Sequence, residues 1–194
     1  MRTAFKGRAY LTPEQAANLS RTFGCVRRVW NETLAWRHAR YRTDGLNTNV
    51  SEASAYLAAM KRLPELVFLS EVSSVPLQQV LRIQQKAFAN FFAERARYPR
   101  FTSRAGRRSA EYTRSAFRWR GGLLYLAKQD GPLEIVWSWP GIDPATLDPS
   151  TVTVSRDPDG RWYVSHSGSS RVRSPTKQEP PAVRPRIPVL QGGE

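Results

Sequence analysis

Residues 76–101 read PLQQVLRIQQKAFANFFAERARYPRF, and two different structural textures meet inside this stretch. From Pro76 onward, Leu77, Val80, Leu81, Ile83, Ala87, Phe88, Phe91 and Phe92 recur at helical spacing and give a broad apolar face. A face that wide is expected on a helix buried by neighbours. The helix should stop before Tyr98-Pro99, because a residue that precedes proline avoids the helical region. Beyond Pro99 the chain becomes strand-like, so the segment separates a helical block from a β block.

Working back from Pro76, residues 66–74 read as a connector and residues 51–62 as a short helix that ends near Pro64. A longer helix precedes them. Thr12-Pro13-Glu14-Gln15 supplies a capping Thr, a proline at the first helical position and the Gln of a capping box. Ala16, Leu19, Phe23, Val26, Trp30 and Leu34 then step by three and four, and the helix should end before Asp44-Gly45. Residues 3–11 mix aromatic and basic residues in a strand-like segment.

Working forward, short apolar pieces appear at 117–119, 123–126 and 133–137, punctuated by Gly121-Gly122 and Gly131-Pro132. Thr151 to Val154 alternates, Asp157-Pro158-Asp159-Gly160 forms a turn, and Trp162-Tyr163-Val164 returns, which predicts a hairpin. From Ser174, Pro175, Pro180, Pro181, Pro185 and Pro188 crowd a stretch with almost no core-forming residues, and a disordered tail is expected there. The class is therefore α+β. Its expected parts are a first strand at 1–12, a helical insert at 13–98, the remaining strands at 99–172 and the tail at 173–194.

Thirty Lys and Arg residues oppose sixteen Asp and Glu, a net charge of +14, so a polyanionic partner would relieve the self-repulsion. Nucleic acid fits best, since neutralised phosphates release counterions. No basic amphipathic run argues for a membrane surface, and no run approaches the length of a transmembrane helix. Arg outnumbers Lys; its planar fork suits phosphates and bases, although a GC-rich genome would give the same bias. Cys25 is the only cysteine, and His38 and His166 are the only histidines, so no disulfide framework or cysteine zinc site is expected. A cytoplasmic protein without cofactor or small-molecule substrate is the expectation.

The densest basic segment holds Arg95, Arg97, Arg100, Arg104, Arg107, Arg108, Arg114, Arg118 and Arg120, interleaved with Tyr98, Phe101, Tyr112, Phe117 and Trp119. Arginines can contact phosphate while exposed aromatics stack on bases. The competing reading is a solvated linker anchored by its aromatics. A second cluster, including Arg27, Arg28 and Arg37, lies on the first helix, where a solvated face is the alternative. Trp30 is expected in the core and His38 at the surface. No phosphate-binding Gly-rich loop, nucleophile elbow or paired metal-ligand spacing occurs, and the carboxylates are scattered.

The order of segments resembles the TnpB (OrfB) proteins of insertion sequences. Arg8 to Gln15 is similar to that family's opening R-x-Y-P-T-x-x-Q, and Val29-Trp30-Asn31-Glu32-Thr33-Leu34 to its V-Y-N-x-x-L. Leu69-Ser70-Glu71-Val72 through Leu77-Gln78-Gln79-Val80-Leu81 is similar to W-L-x-E-V followed by L-Q-x-x-L. Ala87-Phe88-Ala89-Asn90-Phe91-Phe92 and Tyr98-Pro99-Arg100-Phe101 carry the most specific likeness, and 151–156 with 161–165 resemble a later strand pair. The likeness covers about residues 5–170.

TnpB proteins are RNA-guided DNA endonucleases related to type V CRISPR effectors, earlier named transposases. The resemblance implies a wedge-type antiparallel β-barrel interrupted by a helical recognition insert, long described as a helix-turn-helix domain. It implies structured guide-type RNA and duplex DNA as partners. Gln78 occupies a position that touches the DNA motif flanking the target, and Ser74 stands where relatives carry a basic residue, so a different motif preference is expected. From the density of arginine and the interleaved aromatics, rather than from the resemblance, nucleic-acid contacts are also expected at Arg27, Arg28, Arg37, Tyr98, Arg100, Phe101, Arg104, Arg107, Arg108, Arg114, Arg118 and Arg120. The Gly-x-Asp-x-Gly and paired cysteines of the family's RNase-H-like domain do not follow the Trp162 strand. The expectation is therefore a form truncated by a frameshift or premature stop, which keeps the nucleic-acid-binding region and lacks nuclease activity; a shortened form retained as a binding protein, and a stand-alone DNA-binding regulator or accessory transposition factor, are the alternatives.

Overall fold

A computed structural model describes residues 4–106, 108–137 and 143–170. The expected tail at 173–194 and Arg107 lie outside the described residues.

The chain opens with β1 (Ala4–Tyr10) and enters α1 (Pro13–Asp44) through the expected capping box. Thr12 Oγ1 accepts from the Gln15 amide, and Gln15 Oε1 accepts from the Thr12 amide, each at 3.2 Å. The Gln15 side chain also donates to the carbonyls of Asp130 and Pro132, at 2.9 and 3.1 Å. A local start signal thus also fastens α1 to a distant hairpin. Gly45 ends the helix with φ 66° and donates its amide to the Tyr41 carbonyl, in the left-handed conformation that glycine adopts without penalty.

Next comes α2 (Val50–Met60), opened by a second capping box between Asn49 and Glu52. The connector expected at 66–74 is instead a 3₁₀ helix over Pro64–Ser70. After it, α3 (Ser74–Phe92) begins two residues before Pro76. Proline is tolerated there because first-turn amides have no intrahelical acceptor.

The β block contains one strand that periodicity did not reveal, β2 (Arg108–Thr113), followed by a 3₁₀ turn over Arg114–Ala116. Then come β3 (Phe117–Arg120), β4 (Leu123–Leu126), β5 (Pro132–Trp137), β6 (Leu147–Arg156) and β7 (Trp162–Ser170). The seven strands are antiparallel, in the order β2-β6-β7-β1-β5-β4-β3. The outermost strands, β2 and β3, are consecutive in the chain and joined by the short 3₁₀ turn, so the sheet curls into a nearly closed barrel. The fold is therefore α+β, with the helices inserted between the first strand and the rest.

Inward residues follow the two-residue strand period: Ala110 and Tyr112 on β2 face Val154 and Val152 on β6, and Val154 faces Val164 on β7. At Gly7 of β1 a Cβ would lie 2.7 Å from both the Ile135 side chain and the Trp137 ring, so the close approach of β5 requires glycine. Leu19 and Phe23 of α1 complete the barrel core, which also holds Phe117, Leu124, Leu126 and Leu133. A second core lies among the helices, where Cys25 and Val29 of α1 meet Leu57, Met60, Leu69, Leu77 and Leu81. One helix thus belongs to both cores, and Val26 packs against each.

Candidate nucleic-acid interface

The segment that leads from α3 back to the barrel is held in a defined path. Tyr98 stands edge-on to both Phe88 and Phe91, with ring centroids 5.5 and 5.2 Å away. Pro99 is buried. The Trp30 indole donates to the Arg100 carbonyl at 2.9 Å. Asn31 donates to the Thr102 carbonyl at 3.0 Å and accepts from the Thr102 amide at 2.9 Å. Backbone groups of 100–102 are therefore spent on α1, while the side chains of Arg100 and Phe101 point to solvent, Phe101 with 60% of its surface exposed. Trp30 is half-buried beside the helical core, as expected, and also pins this segment.

Below this segment lies a polar cleft of about 330 Å³. Ser20, Gly24 and Arg27 line it from one face of α1, as residues spaced by three and four must. Ser103, Arg104 and Gly106 line it from a turn closed by the Gly106 amide on the Ser103 carbonyl, at 3.1 Å. Arg108 at the start of β2 and Arg156 at the end of β6 complete the wall. Among the described residues, no acidic one lines the cleft.

Arg108 and Arg156 are register partners on adjacent strands. Like charges directly opposite each other destabilise a sheet pair. Arg156 lies over the Trp162 ring at 5.3 Å and donates its Nε to the Gly160 carbonyl at 3.3 Å. Trp162 in turn stacks on Phe23, which also lines the cleft. Among the described residues, none of Arg27, Arg104, Arg108 or Arg156 has a carboxylate partner. Arg156 did not stand out in the sequence, because it is the last residue of an ordinary hairpin strand. Only its pairing with β2 brings it to the cleft.

The other arginines singled out in the sequence sit in different surroundings. Arg28 is paired with Glu32 one turn along α1, at 2.9 Å. Arg114 is paired with Asp148 at 2.6 Å, both largely exposed, an arrangement worth little in water. Arg118 and Arg120 are exposed on β3 and line shallow depressions separate from the cleft. The run that looks continuous in sequence is thus divided by β2 into two surfaces.

Arg37, grouped in the sequence with the solvated arginines, is only 5% exposed. Its Nη1 donates to the Thr48 carbonyl at 3.2 Å and to Gln85 Oε1 at 2.8 Å. Burial pulls its pKa down from the usual guanidinium range, while the charge of Glu52 works against that. His38 is exposed, as expected, and lies 6.2 Å from the Tyr98 ring.

Ser74 and Gln78 occupy successive turns on one face at the start of α3. Ser74 is exposed, whereas Gln78 is half-buried and donates to the Ser54 hydroxyl of α2 at 3.0 Å. A base edge that takes the Gln78 amide would have to compete with Ser54.

Three further features bear on chemistry and location. Among the described residues, no group of three or more His, Cys, Asp or Glu side chains is placed to hold a metal ion. No helix among them is long and apolar enough to cross a membrane. Cys25 is buried, and that burial raises its thiol pKa to about 11.

Comparison with known proteins bears on the identity of this arrangement. Residues 1–45, a span that includes β1 and α1, match the helix-turn-helix domain family of OrfB proteins from IS605-type elements. A Streptomyces pristinaespiralis protein named "Putative RNA-guided DNA endonuclease" is 57% identical over 166 residues, covering 85% of this chain and 41% of its own length. InsQ of Escherichia coli strain K12, which bears the same description, is 28% identical over 176 residues, or 89% of this chain and 42% of InsQ. The virulence protein VsdF of Salmonella dublin is 32% identical over 107 residues, half of this chain and 90% of VsdF. The chain spans about two fifths of the length of the first two relatives. Taken with the strand–helices–strands order, residues 1–45 carry the helix-turn-helix domain of OrfB proteins, and most of the chain is similar to part of two proteins named as putative RNA-guided DNA endonucleases.

Proposed function

We propose that these residues are the nucleic-acid-binding part of a transposon-encoded, TnpB-type protein that acts in the cytoplasm on structured guide-type RNA and duplex DNA. The observation that carries the reading is the cleft of Arg27, Arg104, Arg108 and Arg156, four cations without a counter-ion among the described residues around one cavity. Phosphates supply the missing negative charge, and the release of their counterions drives binding. Arg100 and Phe101 extend the surface along the fixed segment, Tyr98 orders it, and Arg107, the sequence neighbour of Arg108, adds charge. Ser74 and Gln78 face the DNA motif, while Arg28, Arg114, Arg118 and Arg120 contribute general attraction at the periphery.

We assign no cleavage step to these residues. Guide-dependent cutting by the purified chain with Mg²⁺ would overturn that assignment. The binding reading is tested by titrating a structured RNA and a duplex DNA across salt concentrations, with the wild type and a variant in which the four cleft arginines are glutamine. Each lost phosphate contact should lower the slope of log affinity against log salt by about one. A variant that keeps the wild-type slope and affinity sinks the proposal. Sequence-specific duplex binding without RNA affinity would favour a stand-alone DNA-binding regulator instead.

A further inference from the structure

At the far end of α1, its last turns and the C-terminal end of α3 enclose a pocket of about 730 Å³, separate from the arginine cleft. Its walls are aromatic: Tyr41, Phe88, Phe91, Phe92 and Tyr98 line it, with Arg37 among them. Phe92 and Tyr41 leave 60% and 55% of their surfaces in water. Aromatic rings grouped around an open cavity are unusual on a polar surface, and such a group marks a binding site.

The chemistry of Arg37 narrows the choice of ligand. The residue is 95% buried, yet its Nε and Nη2 have no hydrogen-bond partner among the described residues. Only Nη1 is engaged, by Thr48 and Gln85. Buried N–H donors of a guanidinium cost free energy unless an acceptor meets them. Among the described residues no carboxylate lines the pocket, and Glu52, the acid that acts on Arg37, is held by Arg40 at 3.0 Å. Arg42 and His38 stand at the rim.

The occupant must therefore offer flat apolar faces to the rings, acceptor atoms to the guanidinium and tolerance of surrounding positive charge. A phenylalanine side chain from a protein partner satisfies the first condition and brings no acceptor. A nucleobase satisfies all three, since every base has two π-faces and an edge with carbonyl or ring-nitrogen acceptors, and its phosphate suits Arg42. We infer that this pocket takes an unstacked nucleobase from a single-stranded segment, held between the exposed rings of Tyr41, Phe92 and Tyr98, with its acceptor edge toward Arg37. The inference rests on the nucleic-acid reading above and adds a base-dependent site to a phosphate-dependent one.

The test compares two fluorescein-labelled strands of equal length and charge by anisotropy. One is a single-stranded DNA of mixed sequence; the other is a phosphodiester chain of abasic tetrahydrofuran units. The wild type should bind the base-bearing strand more tightly, by roughly 5- to 100-fold for one stacked base. Combining Tyr41→Ala with Phe92→Ala, both at exposed positions, should bring that ratio toward one while leaving affinity for the abasic strand and its salt slope unchanged. Arg37→Met should also lower the ratio, with circular dichroism and a thermal melt showing that the variant is folded. No preference for bases in the wild type, or the same preference in all variants, overturns the inference while leaving phosphate binding intact. Failure of both strands to bind overturns the phosphate reading along with it. A change confined to self-association, measured by sedimentation, would assign the pocket to a protein partner and overturn the inference.

Discussion

Arg27 and Arg37 lie on the same helix, and their surroundings differ in every respect that matters for function. Arg27 is half-exposed, where α1 crosses the barrel, beside three other cations and no acid. Arg37 is buried where α1 meets α2 and α3, with one nitrogen engaged and two idle. At the barrel end, charge is unmet and the surface is polar; at the helical end, apolar surface is unmet and the charge is submerged. The proposed phosphate cleft and the proposed base pocket thereby lie at separate places along one helix. A long helix shared by two cores is the means of keeping them at fixed spacing.

The largest test of that shared rod is Leu19→Ala. Leu19 is fully buried in the barrel core, and its truncation should cost about 2–5 kcal/mol in chemical denaturation. Because α1 also fills the helical core, near-ultraviolet and far-ultraviolet signals should move together. Separate transitions would show that the two ends of the helix are independent.

Next in size is Arg37→Ala, which leaves the Thr48 carbonyl and Gln85 without their donor and should destabilise by about 1–3 kcal/mol. Arg27→Gln should stay within about 0.5 kcal/mol, as surface changes do, yet lower the salt slope of nucleic-acid binding by about one. If Arg37→Ala proves neutral for stability and Arg27→Gln costly, the contrast between the two arginines fails.

A smaller effect concerns acid. His166 is buried in the barrel beside Trp119 and Trp137, with ring centroids 5.7 and 5.5 Å away, and burial lowers its pKa from 6.5. The folded state thus binds a proton less readily than the unfolded one. Stability from this group is fully present above about pH 6.5 and falls as the pH drops toward the lowered folded value. Melting temperatures across that range should show the loss, and His166→Phe should remove that component. No histidine with a resolved shift lies at the helical end, so this acid-dependent loss of stability originates in the barrel.

The smallest effects are expected where charge is already balanced. Arg28→Gln and Arg114→Gln remove exposed partners of Glu32 and Asp148 and should change stability by about 0.5 kcal/mol or less. The salt slope should change less than for Arg27→Gln. Cys25, with its thiol pKa raised to about 11, should resist alkylation at pH 8 until the chain is unfolded, as mass spectrometry would show.

What the sequence determined by itself is what neighbours in the chain can settle. Thr12 and Gln15 fix where α1 starts, Gly45 fixes where it ends, and the Asp157–Gly160 turn specifies the last hairpin, because each needs only residues a few positions away. The apolar stripes of α1 and α3, the nucleic-acid reading of the net charge and the family likeness were legible for the same local reason. Tertiary structure alone decided the rest. Arg108–Thr113 is a strand because Ala110 and Tyr112 meet Val154 and Val152, partners some forty residues away, while the surrounding arginines conceal its alternation. That same pairing sets Arg156 opposite Arg108 and creates the cleft. The burial of Arg37 followed from the close approach of α3 and the 46–48 turn, which no helical period records. Charge can be counted along a chain, but whether a charge is paired, buried or left unmet depends on contacts between residues far apart in it.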